Sequence, residues 1–100
     1  MNGNRLVVMI RVTVDEAKCF NAVWMRSVLP AWEEHGARHI GSWFSGDGRE
    51  ILRLLEFENE AAFEMHCAAM GSEETGKQAA AALSDFCFRA ETTLLCYREP

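Results

Sequence analysis

The sequence predicts an α+β domain, with helices packed on one face of a four-stranded antiparallel sheet. Three observations carry that expectation. Residues 5–14 alternate aliphatic and mixed positions with a period of two, which marks a strand. The stretch FNAVWMRSVLPAWEEHGARHIGSWFS, residues 20–45, reads as an amphipathic helix broken near its end, closed by a glycine and followed at once by a strand. The elements after it complete the order β-α-β-β-α-α-β. The chain has 100 residues, the size of a single domain spanning 1–100, and its apolar content of 49% suits a packed core rather than disorder.

In the first strand, Leu6, Val8, Ile10, Val12 and Val14 form a wholly aliphatic face, while Val7, Met9, Arg11 and Thr13 form a mixed one. That pattern fits a central strand. Asp15 is placed to cap the following helix, with Glu16 near the positive end of its dipole. Phe20, Val23, Trp24, Ser27 and Ala31 fall at helical spacing, with Trp32 and His35 close to the same side. Pro30 has no amide to give the Arg26 carbonyl, so a kink is expected there. Gly36 supplies the left-handed residue that ends the helix. Residues 38–45 form the second strand, Gly46-Asp47-Gly48 a hairpin turn, and residues 50–57 the third strand. Asn59 caps a helix striped by Phe63, His66, Cys67 and Met70. Gly71 is expected to end it, and Ser72 to open another on which Ala79, Ala82, Leu83 and Phe86 align. Residues 89–98 form the last strand. Two β-α-β units sharing a hairpin give the ferredoxin-like arrangement, with the first and third strands in the centre. The other face of such a sheet is open, yet it carries Trp, Phe, Leu and Met, and an apolar open face asks for a partner sheet.

Composition excludes several classes of function. The formal net charge is −5 and the basic residues are scattered singly, so there is no cationic stripe for nucleic acid or for an anionic membrane. The first residues hold too short an apolar run for a signal peptide, and nothing approaches a membrane span, so a cytoplasmic protein is expected. Cys19, Cys67, Cys87 and Cys96 lack metal-like spacing and are read as reduced thiols packed as small apolar residues. Residues 71–78, GSEETGKQ, fit G-x-x-x-x-G-K, but Gln78 stands where the magnesium ligand belongs and two glutamates would repel phosphate. No metal site is expected, and no dinucleotide or nucleophile-elbow motif is present.

Leu29-Pro30-x-Trp32-x-x-His35-Gly36, followed by Gly41-x-Trp43-Phe44, resembles a helix-end and strand pattern of the dimeric α+β barrel superfamily, and within it of the NIPSNAP-like proteins. Arg11 is retained where that family often has Glu-Leu-Arg-x-Tyr; Met9 and Thr13 replace the acidic and tyrosine positions. The resemblance implies a homodimer in which two sheets face each other. It leaves activity open, because the superfamily holds cofactor-free monooxygenases, isomerases, cyclases, haem enzymes and proteins without known reaction.

Polar side chains on strands are the candidates for chemistry. Arg11, Arg53, Glu56, His39 and Glu91 all lie on expected strands. With the first and third strands adjacent, Arg11 is placed near Glu56 or Arg53, either to hold an oxyanion or to form a structural ion pair. His39 is the preferred acid–base group, because the superfamily's pockets often open after the turn at Gly36 and because it precedes Trp43 on the same strand face; the plain alternative is a strand-end histidine. The expected catalytic set is therefore His39, Arg11 and Glu56, with Trp24, Trp43, Arg53 and His35 binding substrate. His35 also has a simpler role in capping the end of its helix. His66 sits where a haem enzyme of this superfamily would draw an axial ligand, but a histidine among Phe63, Cys67 and Met70 reads first as core. The function these residues suggest is a small homodimeric, cofactor-independent enzyme acting on a hydrophobic oxygenated small molecule, of monooxygenase, isomerase or cyclase type. The alternative is a non-catalytic dimeric module that binds a ligand or a protein.

Overall fold

The computed structural model describes residues 5–96. The chain runs β1 (Leu6–Val14), α1 (Ala17–Val23), a π-helical turn (Trp24–Val28), α2 (Leu29–Glu34), β2 (Arg38–Phe44), β3 (Glu50–Phe57), α3 (Glu60–Ser72), α4 (Glu74–Ala82) and β4 (Phe88–Cys96). The strands form one antiparallel sheet in the order β2-β3-β1-β4, so β1 and β3 are central as their aliphatic content requires. The helices cover one face. Leu6, Val8, Ile10, Val12 and Val14 of β1 and Ile51, Leu55 and Phe57 of β3 are buried beneath them. This is the ferredoxin-like α+β fold. No helix among the described residues is long and apolar enough to cross a membrane.

The first helical stretch departs from a simple amphipathic rod. The Leu29 amide bonds the Trp24 carbonyl, five residues back, which makes a π turn. One extra residue per turn rotates the stripe, so Val28 and Leu29 reach the core where regular spacing pointed to Ser27. Pro30 then falls in the first turn of α2, where a missing amide costs nothing. The expected kink is thus absorbed by a π turn ahead of the proline. Gly36 adopts φ +96° after α2, as its position demanded. Asp15 does not cap α1: the Ala17 amide is taken instead by the Gly48 carbonyl of the β2–β3 turn, 3.1 Å away.

Asn59 caps α3, its Oδ1 accepting from the Ala62 amide at 2.9 Å. The helix runs through Gly71 to Ser72, and the extended residue Glu73 separates it from α4, so neither Gly71 nor Ser72 sets the boundary. The glycine the fold needs is Gly76. A Cβ there would overlap the Met70 carbonyl, so only glycine lets α4 approach α3 this closely. The expected last strand ran two residues further; Tyr97 and Arg98 lie outside the described residues.

Candidate functional site

A cavity of about 490 Å³ lies between the helices and the sheet, within the range of small-molecule sites. Its floor is Ile10 and Val12 of β1 with Phe88, Ala90 and Thr92 of β4. Phe20, Trp24 and Val28 form one wall, Trp32 an end, and α3 and α4 the other wall through Phe63, His66, Cys67, Met70, Ala79 and Leu83. The sequence dictates this hollow. Small residues at Gly76, Ala79 and Ala80 leave room that aromatic residues opposite do not fill, and the helices leave β4 exposed along its length.

His66 supplies the cavity's main polar function. It is 2% exposed, with its ring 4.1 Å from Trp32 and 5.3 Å from Phe57. Burial in this aromatic cage, aided by the neighbouring His35, pushes its pKa down to about 4, so the ring is neutral at physiological pH. Its Nδ1 is buried and has no hydrogen-bond partner among the described residues. Cys67 beside it has its thiol pKa raised, chiefly by burial, and so stays protonated. Sequence reasoning placed His66 on an apolar stripe and read it as core. Its stripe was the available signal, but the hollow facing it depends on how α4 packs.

A second polar cluster sits behind Trp24. Arg53 is 1% exposed, and its guanidinium lies 3.7 Å over the Trp24 ring. Its Nη1 donates to Ser42 Oγ at 2.7 Å and points a further proton at Met25 Sδ, 3.7 Å away. Ser42 Oγ is 2.9 Å from His39 Nε2, and having accepted from the cation it is free to donate to the imidazole. Burial first, and the Arg53 charge second, hold the His39 pKa below its usual value. Burial also lowers the Arg53 pKa to about 10, which leaves it charged at neutral pH. His39, Arg53 and Trp24 are therefore together, as two expected binding residues and one expected acid–base group.

The remaining expected residues are elsewhere. A register shift in β2 between His39 and Gly41 inserts one residue, so His39 faces the helices while Trp43 faces the open side. Simple alternation had put them on one face. Arg11 is on the open face and cannot meet Arg53, which is on the other. Its partner is Glu50, with Nε donating to Oε1 at 3.0 Å, rather than Glu56; in the β1–β3 register Arg11 stands opposite Leu52 while Glu56 stands opposite Val7. Glu56 instead accepts from Arg38 and pairs with Arg5 at 3.1 Å, and the Arg38 bond leads the contacts that lower its pKa. Arg11, Trp43, Glu50 and Glu91 line a shallow hollow of about 580 Å³ on the open face. His35 caps α2: its Nδ1 donates to the Ala31 carbonyl at 2.8 Å and its Nε2 lies 3.4 Å from Glu73. The Ala31 bond is the main cause of its raised pKa. Among the described residues no cluster of side chains is arranged to hold a metal ion.

No protein-family model and no curated protein matches the sequence. Solved structures do. The chain is similar to SnoaB, a cofactor-independent oxygenase from Streptomyces nogalater, at 19% identity over 97% of this chain and 96% of that one, with a TM-score of 0.74. A NIPSNAP domain protein from Burkholderia xenovorans matches with a TM-score of 0.73 and 14% identity over 90% and 91% of the two chains. A Nitrosomonas europaea protein named as an antibiotic biosynthesis monooxygenase matches at 0.71, with 12% identity over 100% and 96%. These neighbours share the ferredoxin-like α+β fold of this chain. At such identities the likeness is one of fold, and chemistry must be argued from the site.

Proposed function

We propose that this protein is a small-molecule enzyme that encloses a hydrophobic, oxygenated guest in the cavity between helices and sheet. The observation that carries this reading is a largely apolar cavity lined by a neutral histidine whose Nδ1 has no hydrogen-bond partner among the described residues. Trp24, Trp32 and Phe63 offer flat surfaces to an aromatic guest. His66 then accepts a proton from a phenolic, enolic or similarly activated group. Its low pKa makes it a weak base that is always in the accepting form, which restricts it to guests whose anions are well stabilised. Monooxygenase, isomerase and cyclase reactions on such compounds share this first step, and a cofactor-independent route is favoured by the kinship of fold with SnoaB.

We assign the open sheet face to a homodimer contact. Trp43 and Leu95 are exposed there beside Met9 and Leu52, and a single protomer leaves them uncovered. On this reading Arg11, Glu56 and Trp43 serve the contact between protomers, while His39, Arg53 and Trp24 support the cavity wall. The four cysteines are free, which suits a reducing compartment such as the cytoplasm. A non-catalytic binding module is the second reading, favoured because among the described residues no acidic side chain pairs with His66.

The test uses anthrone, an aromatic ketone with an acidic methylene, as probe. Quenching of tryptophan fluorescence reads binding, and oxygen uptake with product formation reads turnover. Saturable quenching that Leu83→Trp abolishes supports the cavity. Equal affinity in wild type and Leu83→Trp removes it. A loss of turnover of at least roughly tenfold in His66→Gln, with binding retained, supports proton transfer; unchanged turnover in that variant would leave His66 out of the chemistry, and binding without turnover in wild type would favour the binding module.

A further inference from the structure

Arg53 is the largest of the fully buried side chains, and among the described residues no carboxylate lies within ion-pairing distance of it. Its Nη2 is buried with no hydrogen-bond partner among those residues. Burying a charge without a counter-charge is costly, so a group kept in this state has a use for its free donors. The stacking on Trp24 engages only the face of the guanidinium and leaves its in-plane N–H groups to something else. What meets one of them now is the thioether of Met25, among the weakest acceptors a side chain offers. Met25 belongs to the π turn, is 36% exposed, and is unbranched and flexible, so it covers the cation without being locked there.

We propose that Arg53, Ser42 and His39 form a binding site for a carboxylate, covered by a displaceable Met25 and separate from the cavity on which the proposed function rests. A carboxylate that takes the place of the Met25 sulfur accepts from Nη1 and Nη2 together, in the planar two-point geometry that guanidinium prefers. Ser42 accepts from Nη1 on the other side and donates its hydroxyl hydrogen bond to His39 Nε2, so the site presents one positive charge and a neutral imidazole. One fork of donors matches a planar monoanion better than a phosphate, whose three oxygens would need further cations. The β2 bulge is what makes the site: it turns His39 and Ser42 towards Arg53, where regular alternation would point only one of them inward.

The experiment is an NMR titration of ¹⁵N-labelled protein, following the Arg53 Nε–H and the Trp24 indole N–H. Sodium acetate is the ligand, acetamide the neutral control, and sodium chloride holds ionic strength constant. Acetate is expected to shift both signals saturably, while acetamide leaves them in place. Met25→Ala, which uncovers the fork, is expected to tighten acetate binding severalfold, and Arg53→Lys, which removes it, to weaken binding roughly tenfold. Equal shifts from acetate and chloride, or none from acetate in wild type and Met25→Ala, overturn the site even if Arg53→Lys fails to fold. Because acetate does not need the cavity, a positive result here alongside no anthrone binding would remove the proposed function and leave the carboxylate site standing.

Discussion

On the open face of the sheet Arg11 lies 3.0 Å from Glu50, and Glu56 takes both Arg5 and Arg38. On the helix face Arg53 and His66 are almost fully buried, and each keeps a nitrogen without a partner among the described residues. Charges are thus paired on the face where solvation is cheap, while on the face where it is dear a charged guanidinium and a neutral imidazole each keep an unpartnered nitrogen. Exposed ion pairs contribute about 0–1 kcal/mol each, so the open face gains little from its pairing. An unpaired polar atom in the interior costs about 1–3 kcal/mol, so the helix face forgoes stability at both residues. That contrast is what the proposed homodimer contact on the open face and the proposed ligand sites on the helix face would each require.

The contrast is broken most forcefully by truncating one apolar residue on each face of β3. Phe57 is buried under the helices, and Phe57→Ala is expected to cost about 3–5 kcal/mol in urea unfolding. Leu52 faces outward on the same strand, and Leu52→Ala is expected to cost less than about 1 kcal/mol at low protein concentration. If a second protomer covers that face, the Leu52 cost grows with concentration while the Phe57 cost keeps its base value. Equal losses at every concentration would mean that both faces are core within one protomer.

The two histidines that face each other across the helix layer give the next effect, with opposite signs. The folded pKa of His66, about 4, is below the unfolded value near 6.5. Its contribution to stability is therefore present above pH 6.5 and is lost as pH falls from there through about 4. The loss should be on the order of 3 kcal/mol. His35 has a raised pKa, so its contribution is present in acid and fades as pH rises through its folded value. His66→Phe keeps the aromatic cage filled and should flatten the acid limb of the stability profile. An acid limb unchanged in His66→Phe would show that the ring is not held neutral.

Much of this was readable from residues. Strand alternation, the Asn59 cap, the Gly36 exit and the centrality of β1 and β3 follow from local spacing, and all are observed. The site was readable only in part, because two one-residue insertions break periodicity. The π turn at Trp24–Val28 rotates the helical stripe, and the β2 bulge sends His39 and Trp43 to opposite faces. Neither leaves a composition signal, since each depends on packing against distant elements. The grouping of Arg53 with His39 and Trp24 was within reach of strand parity once the bulge is known. The cavity at His66 was not, because its volume arises from Gly76 and Ala79 on a helix whose docking no local pattern specifies.

The smallest effect sharpens the comparison from the open face. Arg11 and Glu50 are well exposed in a single protomer, with side chains 61% and 40% accessible. A double-mutant cycle with Arg11→Gln and Glu50→Gln should give a coupling below about 0.5 kcal/mol, shrinking further in salt. That holds at protein concentrations where the chain is monomeric. At concentrations where a partner sheet covers the pair, water is excluded and the same cycle should report a larger coupling that salt no longer screens. The pair thus reports on its surroundings more than on its own strength. A small, salt-sensitive coupling at all concentrations would leave the open face in water and remove the homodimer contact assigned to it. A coupling that rises with concentration, in step with the Leu52→Ala cost, would place Arg11 and Glu50 inside that contact.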